Sequence, residues 1–137
     1  MKYFFFLLFF TSCMSSQSIL NTTEISKINV MLDFNRAGTT ASLKAAYSSF
    51  LINGGVKTSF DSNQIEIFSN LIKDLKGNSH KQKKISNVLC AIEIIVNDKA
   101  QCLILTNSKL INITSGVEYF VPKERHKKIF SLISSIY

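Results

Sequence analysis

Apolar and polar positions along residues 25–137 follow two periods. Ile28, Val30, Leu32 and Phe34 alternate with Asn29, Met31 and Asp33, the spacing of a strand with one buried face. Val88 to Val96 is a denser apolar run broken only by Glu93. Asn97-Asp98-Lys99 then supply a turn and Ala100 to Leu105 return, which predicts a β-hairpin. Leu110 to Ile113 and Val117 to Val121 are further short strands, separated by Ser115-Gly116. A period of 3.6 governs two other segments. Asp61 or Ser62 can cap a helix whose apolar face is Ile65, Phe68, Leu71, Ile72 and Leu75, with Gly77 as its stop. A second helix begins near Pro122 and carries Ile129, Leu132, Ile133 and Ile136 at i, i+3, i+4 and i+7.

Residues 40–52 fit either period, since Leu43, Ala46, Tyr47, Phe50 and Leu51 have helical spacing and Gly54 could cap them. Sliding the chain along itself decides between the two. At an offset of 60, Ile28 meets Val88, Leu32 meets Ile92 and Phe34 meets Ile94. At 61, Gly55-Val56 meets Gly116-Val117, Phe68 meets Ile129 and Leu71-Ile72 meets Leu132-Ile133. The match places 40–52 opposite the strand region 101–113 and predicts an extended segment. The expected architecture is α+β: an antiparallel sheet with two helices packed on one face, built as an internal (β-β-β-α)x2 repeat. The pseudo-repeats are 25–76 and 85–137, joined by a polar, basic linker over 77–84.

The N-terminus has a different character. Met1-Lys2 carries one positive charge, Tyr3 to Phe10 is uninterrupted apolar sequence, and Thr11-Ser12 lead to Cys13. These are the three regions of a secretory signal. Eight apolar residues span only about 12 Å as a helix, far short of a ~30 Å hydrocarbon core. Phe10-Thr11-Ser12-Cys13 resembles the lipobox of bacterial lipoproteins processed by signal peptidase II, with Phe10 where Leu is usual and Ser12 where Gly or Ala is usual. The resemblance implies cleavage after residue 12 and lipidation of Cys13. Residues 13–24 are then a polar, lipid-anchored tether and 25–137 a single domain. With Met14 rather than Asp after Cys13, it further implies an outer-membrane anchor facing the periplasm.

Charge and composition narrow the partners. The chain of 137 residues has sixteen Lys and Arg against nine Asp and Glu, a net charge of +7. Removal of residues 1–12 leaves +6. The cations cluster: Lys81, Lys83 and Lys84 in the linker, and Lys123, Arg125, Lys127 and Lys128 at the start of the second helix. Such a patch suits an acidic protein, anionic lipid or lipopolysaccharide; export argues against nucleic acid.

Catalytic chemistry finds little to build on. No G-x-S-x-G frames a serine and no H-E-x-x-H or C-x-x-C frames a metal, so neither cofactor nor metal is expected. His80 and His126 read as exposed surface residues. With the loop at 97–99, Cys102 faces Ile94 and lies about 13 Å along the strand from Cys90. A disulfide needs Cα atoms within about 7 Å, so both thiols are expected free and buried. The leading expectation is a lipid-anchored, non-catalytic interaction module of the cell envelope, the class that includes anchored inhibitors and immunity proteins. The alternatives are a binder of anionic envelope surface and a small enzyme with an unframed site.

Overall fold

The computed structural model describes residues 25–32, 41–42, 57–79, 84–85 and 87–137. Cys13, the tether, His80, Lys81, Lys83, residue 40 and residues 43–52 lie outside them. The described residues form nine strands: β1 (Ile25–Leu32), β2 (Ala41–Ser42), β3 (Lys57–Ser59), β4 (Gly77–Ser79), β5 (Lys84–Ile85), β6 (Val88–Val96), β7 (Lys99–Thr106), β8 (Lys109–Asn112) and β9 (Val117–Phe120). The helices are α1 (Ser62–Ile72) and α2 (Lys123–Ser134). Seven strands form one sheet in the order β3-β1-β6-β7-β8-β9-β4, and β2 pairs separately with β5. Every pairing is antiparallel. The architecture is thus α+β.

Period-2 alternation decides what each sheet face buries. Ile28, Val30, Cys90, Ile92, Ile94, Leu103, Leu105, Leu110 and Tyr119 share one cluster with Phe68 and Ile72 of α1 and Ile129 and Ile133 of α2. Both helices therefore pack on the same face. Met31, Ala91, Cys102, Ile104 and Ile111 form a second cluster on the other face. Phe60 and Phe68 meet edge to face with ring centroids 5.9 Å apart.

Helix lengths match the sheet they cross. The chain leaves edge strand β3, runs through α1 and enters β4 at the opposite edge. Six strand spacings are about 29 Å. The eleven-residue helix, a turn at Lys73-Asp74 and the residues after it carry the chain from one edge to the other. After β9, α2 returns over the sheet antiparallel to α1. Tyr137, three residues beyond it, donates its hydroxyl to the Val30 carbonyl at 3.0 Å. Asp61 caps α1 through a reciprocal capping box: its carboxylate accepts from Gln64 N at 2.8 Å, and its own N–H donates to Gln64 Oε1 at 2.9 Å. Pro122 precedes α2 without a side-chain cap.

Four sequence expectations need correction. Helix α1 stops at Ile72, and Gly77 is not its cap but the first residue of β4, paired with Tyr119. A Cβ at Gly77 would lie 2.5 Å from Tyr119 Cε1, so glycine is required by close approach. Part of the segment read as a linker is accordingly edge strand β4, and Lys84 lies in β5. The β6–β7 turn has two residues: Asn97 and Asp98 both take positive φ, at 49° and 61°, and Val96 pairs with Lys99. Asn and Asp tolerate that left-handed pair, which suits the strand twist. Cys102 therefore opposes Glu93, not Ile94. A one-residue slip exchanges the faces, so Cys102 lies opposite the helices while Cys90 lies under them. Finally, β1 is buried on both faces, Asn29 and Met31 included.

The strand order does not confirm the repeat. β3 pairs directly with β1, whereas its counterpart β9 pairs with β8 and β4, two strands removed from β6. Ala41 and Ser42 are extended as expected; the rest of 40–52 is outside the described residues.

Candidate functional site

Of the predicted basic patch, the four α2 cations can be placed with their side chains. Arg125 is occupied: its guanidinium donates to the Leu71 carbonyl at 3.5 Å and lies 4.0 Å from Asp74. A planar donor fork at the last carbonyls of α1 fastens the end of one helix to the start of the other. Lys127 pairs with Glu124 at 3.1 Å on the exposed side of α2. Lys123 and Lys128 are exposed and have no hydrogen bond or ion pair among the described residues. On α2, Lys123 and Lys128 are thus free and Arg125 and Lys127 engaged; Lys81 and Lys83 lie outside the described residues.

His126 departs from its expected exposure. The ring is half-buried, and Nε2–H donates to the Thr106 carbonyl at 2.6 Å. It ties α2 to the end of β7. Among the described residues no group of three or more His, Cys, Asp and Glu is assembled. No helix there is long and apolar enough to cross a membrane.

Two features that sequence spacing did not single out are more informative. The first is an open cleft of about 540 Å³ between α1 and α2, lined by Ile67, Asn70 and Leu71 on one side and Lys128, Ser131, Leu132 and Ser135 on the other. Leu71 and Leu132 were expected inside the core. They are half-buried at its edge, because each helix turns Phe68 and Ile72 or Ile129 and Ile133 toward the sheet instead. Ile67 is 41% exposed. The available signal was that Ile67 stands four residues before Leu71, one apolar position beyond the core stripe.

The second is a polar chain on the face opposite the helices. Ser59 Oγ donates to Asn29 Oδ1 at 2.7 Å, Asn29 Nδ2 donates to Glu93 Oε1 at 2.6 Å, and Lys57 Nζ lies 2.8 Å from the same oxygen. The Lys57 hydrogen bond, with Asn29 adding to it, holds the Glu93 carboxyl below its ordinary range. The chain of hydrogen bonds joins β3, β1 and β6.

Both thiols are disfavoured as thiolates. Burial and the neighbouring Glu93 charge push Cys102 up to about 12, and burial alone drives Cys90 higher still. Both are free and buried. Asn112, in a sequon-like Asn-Ile-Thr, is 2% exposed and bonded to Gln101 and Ser115, which bars a glycan. No protein-family profile, curated protein or solved structure matches the chain.

Proposed function

We propose that the protein is a small lipid-anchored, non-catalytic interaction module of the cell envelope, with Cys13 as the lipidated residue. The anchor reading rests on the lipobox-like Phe10-Thr11-Ser12-Cys13. The interaction reading rests on one observation: the folded domain presents an open cleft with apolar walls and a free cation, made by its helix layer. A site that holds a partner needs exposed apolar surface with a few placed polar groups; a site that turns over substrate needs a nucleophile or base and something to orient it. The cleft supplies the first set. An inhibitor or immunity-like role belongs to this class.

Cys13→Ala tests the anchor. It blocks lipidation and leaves unprocessed precursor or released protein in fractionated cells. Wild-type migration and fractionation by the mutant would refute it. A second reading, binding to anionic lipid or lipopolysaccharide, is favoured by the free Lys123 and Lys128. Binding to anionic vesicles that weakens steeply with salt and is lost in Lys123→Gln/Lys128→Gln would favour it.

The internal repeat is part of the same proposal. At an offset of 61, the capping positions Asp61 and Pro122 coincide, and so do the buried pairs Phe60/Val121, Phe68/Ile129 and Ile72/Ile133. The helical quarters of the two halves support common descent more than the strand order does.

A further inference from the structure

Resting on the reading of the chain as an interaction module, we propose that the α1–α2 cleft binds an acidic amphipathic helix of a partner protein, whose apolar ridge seats between Ile67, Leu71 and Leu132 and whose carboxylate pairs with Lys128. The helices run antiparallel, and the groove between them is open to solvent with residues of both helices along its walls, which leaves room for a third helix. Ile67 and Leu71 stand at i and i+4 on one wall, and Lys128 and Leu132 at i and i+4 on the other. Ser131 keeps its rim low, so that a partner backbone can approach. Ile67 is a large aliphatic side chain 41% exposed beside the half-buried Leu71 and Leu132 of the cleft.

Charge selects the occupant. No carboxylate lines the cleft, Asp74 beyond Leu71 lies 4.0 Å from Arg125, and Lys128 has no partner among the described residues. Over α2 the cations Lys123, Arg125, Lys127 and Lys128 face the single acid Glu124. A second copy presents the same α2, with four cations and one acid, and so brings no excess of carboxylates to Lys128. A bilayer is flat and cannot fill a groove recessed between two helices. A helix with an apolar ridge flanked by Glu or Asp satisfies both the shape and the charge.

The test uses the full lipidated chain in neutral phosphatidylcholine nanodiscs, with empty discs as the blank. Three fluorescein-labelled fifteen-residue helical peptides are titrated by anisotropy: a Leu ridge flanked by Glu, the same ridge flanked by Lys, and a Ser ridge flanked by Glu. The Leu/Glu peptide binds about tenfold more tightly than either other, the size of one desolvated contact or charge pair. Lys128→Glu removes that preference and favours the Lys-flanked peptide, and Ile67→Ser weakens the Leu/Glu peptide severalfold. Both positions are exposed, and unchanged circular dichroism shows the fold intact. Absence of binding, equal binding of the three peptides, or indifference to Lys128→Glu overturns the proposal. So does a dimer in sedimentation that Ile67→Ser dissociates. Photo-cross-linking in the native envelope from positions 67 and 98 separates this proposal from the reading beneath it. An adduct at 67 that Lys128→Glu abolishes supports the cleft. An adduct at 98 without one at 67 overturns the cleft while the module stands, and no adduct at either position removes both.

Discussion

Replacing Gly77 by Ala puts a single methyl group where the sheet edge has no room for it. Gly77 pairs with Tyr119 across β4 and β9, and the added Cβ would sit 2.5 Å from Tyr119 Cε1 and 2.5 Å from Val117 Cγ1. Val117 is half-buried and can rotate. Tyr119 is 2% exposed within the helix-side core and cannot turn away without displacing its neighbours. The molecule must either push that ring inward or peel β4 from β9. Overpacking costs about 1–3 kcal/mol, and each ladder hydrogen bond lost in peeling about 0.5–1.5 kcal/mol. We expect a loss of about 2 kcal/mol, a large part of a small domain's stability of about 0.05–0.15 kcal/mol per residue. Urea denaturation followed by far-UV circular dichroism measures it as a fall in midpoint at unchanged slope. Tyr119→Leu removes the ring atoms in the way, so the double mutant should recover about 1 kcal/mol or more of coupling. A Gly77 acting only as a helix stop would lose about 1 kcal/mol whatever stands at 119. Additive effects of the two substitutions, or a Gly77→Ala protein within about 0.5 kcal/mol of wild type, would refute the close-approach argument.

Phe68→Ala, which empties the centre of the helix-side core, should cost about 3–5 kcal/mol, while Leu71→Ala at the cleft edge should cost only about 1–2 kcal/mol; both are read in the same urea assay. The depressed Glu93 carboxyl contributes stability above its unfolded value of about 4.3, and this is lost as pH falls through the lower folded value. Glu93→Gln should therefore be less stable at pH 7 and show a flatter acid limb, and an unchanged limb would discount the Lys57 contact. Cys90 and Cys102 should stay unreactive to a thiol reagent at pH 8 until denaturant is added. Reaction at the native rate of an exposed thiol would contradict their burial.

Patterns confined to one segment were legible along the chain. The stripe Phe68, Ile72 and the stripe Ile129, Ile133 each repeat within a turn of helix, and the Asp61 cap lies three residues from its Gln64 partner. The alternation in β6 and β7 and the Asn97-Asp98 turn are likewise local, although the turn's exact length was not. That one residue mattered: period 2 converts a slip of one into a change of face, which moved Cys102 from beside Ile94 to beside Glu93. Everything that joins distant segments was decided by the tertiary structure. Gly77 carries the same composition cue as a helix stop and as a strand residue pressed against a ring, and only the pairing with Tyr119 distinguishes them. Asn29, Ser59, Lys57 and Glu93 lie on three strands, and nothing in their spacing announces a shared chain of hydrogen bonds. The cleft has the same origin. Ile67 and Leu132 each look like ordinary apolar residues of an amphipathic helix, and only the side-by-side packing of α1 and α2 on the sheet leaves them facing a gap instead of the core.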